Sequence, residues 1–113
     1  MYSEEEIKSI TAKHDQAMNL CEEAFFENRK KNSEKAKELF LTAYKLEREC
    51  AEMIEEGMEP TRSVLYSSAM HCANDAGLKK EAFELAEKLL SFTKYEEYIE
   101  DSTKIIGEFK AKS

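Results

Sequence analysis

The chain has 113 residues, a formal charge of −7, 36% charged and 42% hydrophobic residues, and only three Gly and one Pro. That charge disfavours nucleic acid and anionic membrane surfaces, whose phosphates are held mainly by Lys and Arg. The scarcity of Gly and Pro argues against a turn-rich β protein, and the length allows one domain with a single modest core.

Glu, Lys, Ala and Leu dominate, and these residues lose little on entering a helix, so the expected fold class is all-α. Ser3 followed by Glu6 is a capping-box pair, which predicts a first helix over 4–30. Its apolar positions, Ile7, Ile10, His14, Ala17, Met18, Cys21, Ala24 and Phe25, recur every three or four residues. Ser33 is the predicted N-cap of a second helix over 33–56, with a stripe of Ala36, Leu39, Phe40, Ala43, Leu46, Cys50, Met53 and Ile54, closed by Gly57. Pro60 suits the first turn of a third helix over 60–76, which Gly77 stops. A fourth helix is expected over 79–91, packing through Ala82, Phe83, Ala86, Leu89 and Leu90. Thr93 with Glu96 repeats the capping logic for a fifth helix over 94–109. Short connections make consecutive helices antiparallel neighbours within one domain, 1–113.

The start, Met1-Tyr2-Ser3-Glu4-Glu5-Glu6, lacks a basic segment followed by an apolar one, so no secretory signal is expected. No apolar run approaches the roughly 20 residues that span a bilayer. Cys21, Cys50 and Cys72 are odd in number and widely spaced, as free thiols in a reducing compartment would be. A disulfide-free cytoplasmic protein is the expectation.

An internal repeat is visible at one fixed offset. Ala36, Phe40 and Ala43 recur as Ala82, Ala86 and Leu89, and Leu20 and Ala24 recur as Tyr66 and Met70. Tyr66, Ala73, Gly77, Ala82 and Ala86, with Leu20, Ala24, Ala36, Phe40 and Ala43 in the other copy, resemble the helix-turn-helix unit of the tetratricopeptide-repeat superfamily. The resemblance covers 17–46 and 63–90. It implies antiparallel helix pairs stacked as an α-α superhelix, with the fifth helix either capping the array or joining a dimer. Departures are Met70 for a small residue, Glu27 for an aromatic, Lys31 for the turn glycine, and the long second helix. The segment 59–66 also resembles uncharacterised bacterial proteins of this kind, which implies no activity.

Chemistry finds little support in these residues. His14 and Cys21 share a face, but His71 and Cys72 are adjacent and point about 100° apart, and neither HExxH nor a di-iron bundle pattern occurs. No nucleophile elbow or phosphate-binding glycine loop is present. Cys21, Cys50 and Cys72 read as small core residues, His14 as an edge residue, and Glu22, Glu23 and Glu27 as solvated helix faces. No enzyme activity, cofactor or metal is expected.

In the resembled family the first helix of each unit lines a concave groove. Carried over by position, that face comprises Met18, Cys21, Glu22, Phe25 and Asn28 from the first copy and Ser67, His71, Asn74 and Asp75 from the second. These lack the Lys, Arg and Asn set with which some members clamp a peptide carboxylate. A basic or apolar helical segment of another protein is the implied ligand, unless Met18 and Phe25 pack under the fifth helix. The alternative is a compact bundle holding a small ligand or metal through His14, Cys21 or His71. Five helices of this length bury a core unaided, so monomer is favoured over homodimer.

Overall fold

The structure, a computed structural model, describes residues 3–112. Five helices follow one another: α1 Glu4–Arg29, α2 Ser33–Met53, α3 Thr61–Asp75, α4 Lys79–Phe92 and α5 Glu96–Ala111. No strand occurs among the described residues. Each helix packs on its successor, and α3 also meets α5. The result is a slab of 43 × 31 × 19 Å with a radius of gyration of 14.1 Å.

The local signals explain the helix ends, with three exceptions. The Ser3 hydroxyl accepts from the Glu6 N–H at 3.1 Å and donates to its carboxylate at 3.2 Å, so Ser3 caps the first helix as expected, although the Glu6 carboxylate bonds the hydroxyl rather than the Ser3 N–H. The predicted caps at Ser33 and Thr93 do not form. Asn32 occupies the cap of α2 without a side-chain bond, because the preceding turn runs straight into the helix. Thr93 is buried, its hydroxyl 2.9 Å from that of Ser63 and accepting from the Tyr95 N–H at 3.4 Å rather than from the first turn of α5, which starts at Glu96 rather than 94 with Tyr95 as its cap. The second helix stops at Met53, short of 56, and Gly57 takes its positive φ of 87° in the turn that follows.

Two turns have the same construction. After α1, the Asn32 N–H donates to the Glu27 carbonyl at 2.9 Å and the Lys31 N–H to that of Asn28 at 3.0 Å. After α3, the Leu78 N–H donates to the Ala73 carbonyl at 2.9 Å and the Gly77 N–H to that of Asn74 at 3.1 Å. This is the Schellman pattern, which requires a left-handed residue after the cap. Gly77 supplies it at φ 84° and Lys31 at φ 66°, 46 positions apart (31 to 77). A non-glycine residue there brings its Cβ too close to the following carbonyl oxygen, a cost of about 1–2 kcal/mol.

Side chains on either side of these turns fill the core in complementary sizes. Ala24, Phe40 and Ala43 are buried in the first pair, and Met70, Ala86 and Leu89 at the same offset in the second. Where one pair carries a large residue the other carries a small one. Phe40 is 2% exposed, a burial that contributes about 1.5–3 kcal/mol. At the far end of the second pair Arg62 is buried, its guanidinium 3.8 Å from the Phe92 ring centroid and 5.6 Å from that of Tyr66. With Ser63–Thr93 this pins the start of α3 to the end of α4.

The shared turn makes a prediction of opposite signs. Lys31→Gly is expected to raise the unfolding free energy by about 0.5–1 kcal/mol, and Gly77→Ala to lower it by about 1–2 kcal/mol. Urea unfolding measures both, and equal signs would contradict the shared geometry.

Candidate functional site

The face carried over from the resembled family divides unevenly in the structure. On α1, Met18 is half-buried against the main core, while Glu22 and Asn28 are exposed. Phe25 is 51% exposed, yet its ring stands edge-on to Phe40 with centroids 5.1 Å apart at 76°. Neighbouring Phe26 is 55% exposed, with the Lys30 ammonium 5.1 Å from its centroid. Met18, Glu22 and Phe25, spaced by four and three residues, share one side of the helix.

On α3 the corresponding residues are more engaged. Ser67 is buried. His71 is exposed, with Nε2 3.2 Å from Asp101 Oδ2 on α5. Asn74 accepts the Lys79 ammonium at its carbonyl (3.1 Å) and at Oδ1 (2.9 Å). Burial pushes the Asp75 carboxyl above the usual carboxylate range, against the pull of His71 and Lys79. Asn74 and Lys79 also border a pocket of about 240 Å³ with Ile105, Glu108, Phe109 and Lys112. The fifth helix therefore engages the α3 part of the face. Phe25 leans on Phe40, which leaves one side of its ring open.

The two parts of the face meet along the seam between α1 and α3, where Cys21 Sγ lies 3.3 Å from Cys72 Sγ. All three cysteines are free thiols. Cys50 is buried, lies 3.5 Å from the Ile10 carbonyl, and is pushed up to about 11 by burial and by Glu47.

Glu47 is the residue that the sequence reading passed over. Its side chain is fully buried, and His14 Nδ1 lies 2.9 and 2.8 Å from its two carboxylate oxygens. The Ser68 hydroxyl on α3 also bonds to it. One carboxylate thus joins α1, α2 and α3. Burial raises its pKa, with His14 and Ser68 opposing the shift. A signal existed: Glu47 falls four residues after Ala43 and three before Cys50, inside the apolar stripe of α2. Glu27, expected on a solvated face, is buried as well. It holds the first turn through Lys30 at 3.4 Å, Lys35 at 4.0 Å and Asn32 at 3.4 Å.

The residues considered for a metal or small ligand have separate partners: His14 with Glu47, Cys21 with Cys72, and His71 with Asp101. Among the described residues, no group of three or more His, Cys, Asp or Glu side chains is arranged to hold a metal ion. No described helix is long and apolar enough to cross a membrane. No family model, curated protein or solved structure matches this chain.

The buried carboxylate sets a pH dependence. Because its folded pKa lies above its ordinary value of 4.5, the native state holds this proton more tightly than the unfolded chain. The resulting stability is fully present below that ordinary value and is lost as pH rises through the folded one. Glu47→Gln does not titrate. Urea unfolding from about pH 4 to pH 7 is expected to show wild type losing stability relative to the Gln variant as pH rises. Parallel curves would contradict it.

Proposed function

We propose that this chain is a non-catalytic interaction module of the tetratricopeptide-repeat-like kind, binding a segment of another protein along the face bordered by α1, α3 and α5. Contact order supports antiparallel pairing. Ile10–Cys50, His14–Glu47 and Phe25–Phe40 count up α1 and down α2. Ser63–Thr93, Tyr66–Phe92 and Asn74–Lys79 do the same for α3 and α4. The identical turns at 31 and 77 support two stacked units, with α5 as the cap. On this reading 17–46 and 63–90 are the repeated units.

The observation that carries the proposal is Phe25, an aromatic ring half exposed but backed by the buried Phe40. A ring held rigid by a neighbour and open on its other side is an anchor of the kind that supplies most binding energy in interfaces. Glu22 lies one helical turn away, and the whole chain is acidic. The complementary ligand is a basic amphipathic helix, its apolar side on Phe25 and Met18 and its cations toward Glu22 and Asp75. The module acts as a monomer in the cytoplasm, without nucleic acid, membrane or cofactor.

Site-specific photocrosslinking in the native cell tests this. A photoreactive phenylalanine at position 25 is expected to capture one discrete partner, and the same probe at Glu87, on the exposed side of α4, to capture none. Phe25→Ala is expected to lower that partner's affinity by about tenfold or more while changing unfolding free energy by under about 1 kcal/mol. Equal capture from both positions, or unchanged affinity in the variant, would sink the reading.

A further inference from the structure

Cys21 and Cys72, 51 positions apart, read from sequence as small core residues, with Cys21 also on the carried-over face. In the fold their sulfurs lie 3.3 Å apart across the α1–α3 seam. Cys21 is half-buried and Cys72 is buried. Two coordinating thiolates on one tetrahedral zinc, each about 2.3 Å from the metal, stand about 3.8 Å apart and need further ligands. No third His, Cys, Asp or Glu is positioned to complete such a set among the described residues. A disulfide needs no third ligand, and its two sulfurs would close from 3.3 Å to about 2.05 Å.

We propose that Cys21 and Cys72 form a peroxide-responsive dithiol that closes to an intramolecular disulfide and ties α1 to α3. The Cys21 thiolate attacks one oxygen of a hydroperoxide. The O–O bond breaks, the leaving oxygen takes up the proton that the Cys21 thiol released to solvent on ionising and departs as an alcohol or water, and Cys21 becomes a sulfenic acid. The Cys72 sulfur then attacks the Cys21 sulfur. The S–O bond breaks, and the hydroxyl leaves with the Cys72 proton as water. Two electrons pass from the sulfurs to the peroxide.

The asymmetry of the pair assigns these roles. The hydrogen bond between the two sulfurs lowers the Cys21 pKa, against burial and the carboxylates of Glu47 and Asp75. The same bond, with burial, raises that of Cys72. The more exposed sulfur is therefore the one that ionises and meets the oxidant, and the buried one resolves it. Cys50, buried and with its pKa raised, has no thiol partner of this kind. The bond would fix the two helices that border the proposed binding face. That consequence rests on the proposed function, whereas the thiol chemistry does not.

The test uses the full reduced chain and hydrogen peroxide, followed by alkylation and non-reducing peptide mapping. The expected result is a linked Cys21–Cys72 peptide pair about 2 Da lighter than the two reduced peptides, with Cys50 still alkylated and dithiothreitol reversing the change. In Cys72→Ala, Cys21 is expected to accumulate as a sulfenic acid captured by dimedone. In Cys21→Ala, Cys72 stays reduced at the same dose. The wild-type melting temperature rises on oxidation, and that of Cys72→Ala does not. Matching circular dichroism shows that each variant is folded, and the Ser variants repeat the comparison where an Ala variant fails to fold. Three persisting thiols at a dose that oxidises free cysteine would overturn the proposal. So would Cys72 oxidation without Cys21, or disulfides forming only between chains.

Discussion

The arrangement of this chain depends on a carboxylate taken out of water. Glu47 has no solvent exposure, and withdrawing an ionised carboxylate costs several kcal/mol unless partners replace the water. His14 from α1 and Ser68 from α3 do so. Breaking such a pair is far costlier than never forming it, so the contact contributes less to total stability than to the choice of arrangement. With Glu47 satisfied, α1 lies where Cys21 meets Cys72 and where Phe25 reaches Phe40. Both functional proposals draw on that placement.

Glu47 also marks where the first helix pair departs from the second. From the shared turns onward, α2 runs 21 residues and α4 only 14. Position 47 corresponds to Thr93, the residue at which α4 has already ended. The extra two turns of α2 pack on the extra length of α1, through Ile10–Cys50, Lys13–Glu49 and His14–Glu47. The second pair closes the same end differently, with Ser63–Thr93 and the Arg62 guanidinium over Phe92. One turn geometry thus serves two helix pairs whose far ends are finished by unrelated chemistry.

The sequence made the class of fold legible because every helix carries an apolar stripe at the helical period, and because Gly77 and the Ser3–Glu6 pair punctuate it. What it hid falls into two kinds. Some side chains had two physically acceptable uses. Thr93 reads as a cap but bonds Ser63, and Glu27 reads as solvated but sits buried under Lys30 and Lys35. Other facts concern which stripe meets which. Periodicity names Cys21 and Cys72 as inward-facing, yet nothing local says that their sulfurs share one seam. Phe25 was legible as a face residue, but only the placement of α5 on α3 and α4 leaves its ring half exposed. Glu47 was concealed by residue type alone, since a carboxylate inside a stripe is ordinarily discounted as noise.

The seating of α1 against α2 and α3 is the point on which the face and the thiol pair both turn, and a double-mutant cycle between His14 and Glu47 tests it most directly. His14→Ala, Glu47→Gln and the double variant, unfolded in urea at neutral pH, give the coupling free energy. A buried pair joining three helices predicts a coupling of about 1–3 kcal/mol. A coupling below about 0.3 kcal/mol, the additivity of sites that do not touch, would contradict it.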